Sequence, residues 1–271
     1  MESQANSQTG ASRIRIGAVS YLNTKPLIYK LEEFAPQAEL VLEVPSRLAD
    51  ELSAGRLDVA LIPSIEFFRD PTYTILSDAC IGCQGPVLSV KLFFRVPPAE
   101  VRTLALDEGS RTSAVLAQIL LFEQFGVRPQ LEPLPVERGL ADTQADAVLL
   151  IGDRAIHSPV GPFTAVWDLG DEWRRSTGLP FVFAMWVARA GYDLSVIEMA
   201  LSQARDAGLQ NLPAIASAEA PKLGLTQPEC LWYLRDCLHF HLGPSEREGL
   251  ELYRRLASSL PAAGAAPCKT A

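Results

Sequence analysis

Between residues 39 and 62 the chain reads strand, amphipathic helix, glycine, strand, and that order leaves few folds open. Glu39 to Val44 is led by Leu40, Leu42 and Val44 on alternate positions. In the next stretch Ser46 suits a helix N-cap, Leu48 and Leu52 share one helical face, and Gly55 falls just past the helix end. Leu57 to Ile62 is then a short buried strand. Two strands joined through a helix must run parallel, so the chain is α/β with a parallel sheet. Arg13 to Val19 supplies a first strand, with Ile14, Ile16 and Ala18 on one side. A second unit of the same kind follows. Thr103 to Leu106 is a strand, Ser110 to Phe125 is a helix carrying Val115, Ile119 and Phe122, Gly126 ends it, and Leu131–Leu134 and Asp146–Ile151 are further strands.

Two long strand-like runs, Val87 to Val96 and Phe181 to Arg189, flank this second unit and read as crossings between domains. The expected division is residues 13–96 plus 185–260 for domain 1 and an inserted domain 2 at 97–184. A hinged interdomain cleft then serves as the ligand site. Residues 1–12 are polar and 261–271 small and Pro/Ala-rich, so both ends are expected to be mobile.

Charge narrows the partners. With 24 Lys+Arg against 32 Asp+Glu, a net charge of −8, and no basic run, nucleic acid is excluded, while a pocket for a small anion is not. No basic segment followed by an apolar one opens the chain, and no apolar stretch approaches the ~20 residues of a membrane span. A cytoplasmic protein with reduced thiols is expected, and five cysteines suit no disulfide framework. Cys80 and Cys83 form a CxxC with no second ligand pair at zinc spacing, and read as loop thiols.

Several residues offer chemistry by position. Ser110, Arg111, Thr112 and Ser113 open a helix straight after a strand, where free N–H groups, hydroxyls and a guanidinium suit a carboxylate. A plain cap at Ser110, with Arg111 solvated or paired to an acid such as Glu108, fits the same pattern. Tyr21, Asn23, Thr24 and Lys25 follow the first strand, at the end where α/β sheets meet ligands, although an ordinary polar loop reads the same way. Ser64 suits a helix cap with Glu66 in the first turn. Asp153 ends a buried strand and is either a cleft carboxylate or a cap.

Taken in order, VSYLNTKPL (Val19–Leu27), LDVALIPSIEF (Leu57–Phe67), CIGCQGPVLSV (Cys80–Val90), DEGSRTS (Asp107–Ser113), ADAVLLIGDRA (Ala145–Ala155) and TGLPFVFAMW (Thr177–Trp186) resemble the futalosine-pathway menaquinone biosynthesis family, in its chorismate dehydratase branch. The resemblance covers residues 13 to 190. It implies a two-domain type II periplasmic-binding-protein fold and conversion of chorismate, a dicarboxylate, to 3-[(1-carboxyvinyl)oxy]benzoate and water, with no organic cofactor and no metal. It further implies a direct role on the substrate for Asn23, a contact from Ser89, and a carboxylate held by Ser110, Arg111, Thr112 and Ser113. The base stays open among Glu66, Asp153 and the substrate's own side-chain carboxylate. A non-catalytic anion-binding protein on the same fold and the related dihydroxynaphthoate synthase are the alternatives.

Overall fold

The computed structural model describes residues 13–157, 161–191 and 193–260. The two mobile ends expected from sequence, 1–12 and 261–271, lie outside them. The chain opens with β1 (Ile14–Val19), a 3₁₀ segment (Leu22–Ile28), the single turn α1 (Leu31–Phe34) and β2 (Ala38–Glu43). Helix α2 (Pro45–Ser53) leads to β3 (Val59–Pro63), α3 (Ser64–Phe67) and β4 (Tyr73–Cys83). The second group holds β5 (Val90–Phe94), β6 (Thr103–Asp107), α4 (Arg111–Phe125), β7 (Gln130–Leu134), β8 (Ala147–Ile151), α5 (Asp153–Ile156), β9 (Ala165–Asp168) and α6 (Leu169–Thr177). The chain returns through β10 (Phe181–Arg189) and ends in α7 (Ser195–Gln210), α8 (Leu212–Glu219), α9 (Gln227–Trp232), β11 (His239–His241) and α10 (Pro244–Ser259).

Both βαβ units form. β1 pairs in parallel with β2 and β3, and β6 in parallel with β7 and β8. Leu48 and Leu52 of α2 are fully buried, each worth roughly 1.5–3 kcal/mol of apolar burial. Ser46 does not cap that helix. Pro45 takes the first helical position, where its missing N–H and fixed φ cost nothing, and no side chain caps the end. At α4 the expected caps are present: Ser110 Oγ accepts from Ser113 N, and Gly126, at φ 66°, closes the C-terminus.

The sheets run β11-β4-β10-β3-β1-β2 and β7-β6-β8-β5-β9. The run at Val87–Val96, expected to cross with domain 1, gives β5, which pairs antiparallel with β8 and β9 inside the second sheet. The crossing itself is the segment 84–89 ahead of it. The whole of β10, divided by the sequence boundary at 184/185, pairs antiparallel with β3 and β4 in the first sheet. A strand buried on both faces carries no alternation, so its pattern does not say which sheet receives it. The CxxC is not in a loop. Cys80 and Cys83 lie within β4, both buried, and burial holds both thiols protonated, Cys83 at a pKa of about 12.

One apolar core runs through both sheets, with a smaller cluster around Phe93, Val148 and Leu150 on the far face of the second. No helix among the described residues is long and apolar enough to cross a membrane.

Candidate functional site

The carboxyl ends of β1, β3, β6 and β8 converge on one cleft between the sheets, the place where parallel sheets meet ligands. The cleft is narrow, with a free volume of about 40 Å³, below the range of open small-molecule sites. Its polar side chains are Tyr21, Asn23, Ser89, Ser110 and Ser113, set among apolar walls that include Val19, Ile81, Val90, Ile151 and Phe183.

Asn23 stands in the 3₁₀ segment after β1, and its Oδ1 accepts from Thr24 Oγ1 at 3.3 Å. Thr24 itself is fully buried, and Lys25 does not line the cleft. Tyr21 lies across the second lobe's loops. A Cβ at Gly152, whose φ is +69°, would meet the Tyr21 ring at 2.8 Å, so that position needs glycine for both reasons. Burial, assisted by the nearby Asp107 carboxylate, pushes the Tyr21 phenol well above its usual range, so it is a neutral donor. Asp107 is spoken for by Arg154, Gly109 N and Ile151 N.

Ser89 is fixed through its backbone. The preceding Leu88 has φ +64°, and Ser89 N donates to Val87 O at 2.7 Å, a γ-turn of the strained hand. The Asp168 carboxylate accepts from Val87 N at 2.9 Å and Leu88 N at 2.6 Å, and Gly152 N donates to Ser89 O at 2.8 Å. The same carboxylate caps α6 through Gly170 N and Asp171 N.

The four residues expected at one anion site divide. Ser110 and Ser113 face the cleft; Ser110 Oγ donates to Ser113 Oγ at 2.8 Å, which leaves the Ser113 proton for a ligand. Thr112 points into the interface instead. Its Oγ1 accepts from Ile65 N at 3.2 Å, lies 3.4 Å from Ser64 Oγ, and its carbonyl accepts from Tyr253 Oη at 3.0 Å. Arg111 reaches across the rim to Asp50, at 2.8 and 2.9 Å, and to Glu66 at 3.4 Å. Its partners are therefore acids of the first sheet's helices, not Glu108. Successive helical residues point about 100° apart, so 110 and 113 share a side that 111 and 112 leave. That spacing was the available signal.

Neither protein carboxylate considered as base lines the cleft. Glu66 is held by Arg69 at 2.6 Å and by Arg111. Asp153 starts α5 and accepts from Leu22 N at 3.0 Å, tying the second lobe to the 3₁₀ segment; burial raises its pKa above the usual carboxylate range. Ser64 is not a cap either, for its hydroxyl donates to Val182 O at 2.8 Å.

A family model described as menaquinone biosynthesis matches residues 14–259. The chorismate dehydratase of Thermus thermophilus is 34% identical over 262 residues, covering 88% of this chain and 93% of that protein. Among solved structures, a protein from Archaeoglobus fulgidus superposes with a TM-score of 0.72 at 17% identity, covering 92% of this chain and 98% of its own. The periplasmic aliphatic sulphonate binding protein of Escherichia coli gives 0.62 at 17% identity, covering 92% and 86%. The fold is that of the periplasmic binding proteins.

Proposed function

The chain belongs to the menaquinone biosynthesis family, on its chorismate dehydratase branch, and from that premise we propose that the cleft converts chorismate to 3-[(1-carboxyvinyl)oxy]benzoate and water. The protein is then a carbon–oxygen hydro-lyase. The observation that carries the mechanism is the make-up of the cleft: five neutral polar side chains, with no carboxylate, imidazole or amine among the described lining residues.

Such a site positions and stabilises charge rather than supplying a strong base. The ring carboxylate is placed at the N-terminus of α4, against the Ser113 hydroxyl and the free N–H groups of the first turn. The ring proton beside the enol ether is vinylogous to that carboxylate, so donors there hold the charge that develops as the proton leaves. The electrons of the broken C–H bond form the third ring double bond while the neighbouring C–O bond breaks. The departing hydroxide takes up a proton and leaves as water. With Glu66 and Asp153 outside the cleft, the base is the substrate's own side-chain carboxylate, held beside the ring proton by Asn23 and Ser89. Aromatisation supplies the driving force, and fixed geometry lowers the barrier.

The two chain crossings, 84–89 and the return at 178–180 between α6 and β10, serve as the hinge on which the lobes open and close. Cys80, Cys83, Cys230 and Cys237 are free thiols, which supports a cytoplasmic setting. The test is direct. Purified protein and chorismate should give a product one water lighter with a new aromatic ultraviolet band; chorismate bound and returned unchanged would make the chain a binding protein.

A further inference from the structure

Among the described residues three buried side-chain polar groups lack a hydrogen-bond partner: Trp186 Nε1, Arg189 Nε and the Tyr233 hydroxyl. The last is set apart by its neighbours. Tyr233 is 1% exposed, and its hydroxyl interacts with the side chains of Ser89 and Asn23, both of which line the cleft. Neither closes a bond of ordinary geometry to it. A phenylalanine would fill the same space without burying an unpaired hydroxyl, and an orphan of this kind calls for an explanation. The backbone gives a second sign. Tyr233 opens a five-residue π-helical segment, Tyr233–Cys237, directly after α9. Such segments are rare and recur at functional sites.

We propose that Tyr233 is a positioning residue of the cleft, whose hydroxyl turns Ser89 so that it presents a donor to the ligand beside the Asn23 amide. The inference rests on the dehydratase reading of this cleft. Its logic is a count of protons. Burial keeps the phenol neutral, so it has one proton to give. Given to Ser89 Oγ, that proton occupies an acceptor of the serine and sends the serine's own O–H towards the cleft. Asn23 Oδ1 already accepts from Thr24 Oγ1, so the amide NH₂ is the group left for the ligand. Two donors on one side suit a carboxylate and a departing hydroxide, and would repel nothing the substrate brings. When the ligand draws Ser89 and Asn23 into place, the Tyr233 hydroxyl completes its missing bond.

Tyr233→Phe, Ser89→Ala and the double variant test this by steady-state kinetics with chorismate and by thermal melting. Tyr233→Phe should melt no lower than the parent, because it removes an unpaired group, while kcat falls about three- to tenfold, the range for one neutral hydrogen bond, with KM nearly constant. The double variant should be no slower than Ser89→Ala, since Tyr233 acts through that side chain. Unchanged kcat in Tyr233→Phe, or losses that multiply in the double variant, would overturn the proposal. A parent protein that binds chorismate without turning it over would instead defeat the dehydratase reading. Calorimetry on the same pair then decides, with weaker chorismate binding by Tyr233→Phe supporting the positioning role and equal Kd values rejecting it.

Discussion

Arg111 bridges the lobes, and its removal separates two accounts of what the guanidinium is for. It meets Asp50 through a forked pair of bonds at 2.8 and 2.9 Å and Glu66 at 3.4 Å. The Asp50 side chain is 58% exposed, so that arm is worth at most about 1 kcal/mol. Glu66 is 12% exposed but keeps Arg69, so Arg111→Ala leaves no buried charge unpaired. The loss should total about 1–1.5 kcal/mol, all of it from the closed arrangement. If ligand binds only the closed form, KM rises about five- to tenfold while kcat holds. Asp50→Ala should move KM the same way by about two- to fivefold, and both effects should fade in 0.5 M salt as the exposed arm is screened. A guanidinium that grips a substrate carboxylate gives the opposite pattern. Asp50→Ala would then leave KM unchanged or lower it, and Arg111→Ala would cost roughly one to two powers of ten in kcat/KM, the worth of a charge-assisted bond. Kinetics of the two variants at low and high salt suffice, and a silent Asp50→Ala beside a crippled Arg111→Ala would refute the latch.

Asp153→Asn should retain activity, since Asp153 lies outside the cleft and asparagine still accepts from Leu22 N. Burial raises the folded-state pKa of Asp153, so its contribution to stability is full below the unfolded value and lost as pH rises through the folded one. The melting temperature of Asp153→Asn relative to the parent should therefore climb from pH 4 to pH 8, and a flat difference would contradict the burial argument. Cys83→Ser should keep its kinetics, with melting lowered by roughly 2–8 °C for about 1–2 kcal/mol of buried hydroxyl, and the purified parent protein should hold no stoichiometric zinc; metal analysis of the parent giving one equivalent would count against a core thiol.

The parallel halves of both sheets were legible because strand, helix, glycine and strand follow each other within each unit. The antiparallel strands were harder. β4 carries Ser77, Asp78 and the CxxC, and its pairing with β10 shifts register twice, so no clean alternation survives in either strand. β5 reads as a strand, but its partners β8 and β9 are set by the second lobe rather than by its own residues. Within the site, Ser110 and Ser113 stand out by their place at a helix start after a strand, whereas Asn23 and Ser89 are singled out only by the family resemblance; all four line the cleft. Arg111 and Thr112 were grouped with them by proximity in sequence, whereas helical geometry sends them elsewhere. Tyr233 offered no signal at all, being one tyrosine in a helical stretch whose meaning comes from the side chains it lies against.

The place of β10 in the first sheet bears on how the protein is made. β3 and β4 are successive strands, yet β10 stands between them. A ribosome that has released β3 and β4 must deliver the entire second sheet before the strand that joins them appears. At roughly 5–20 residues per second that wait is on the order of ten seconds. Throughout it β3, apolar in all five residues and destined for complete burial, presents an open edge. The first lobe is thus the last to close although its sequence comes first. Truncations that stop short of residue 189 should yield aggregates rather than a half-sized domain.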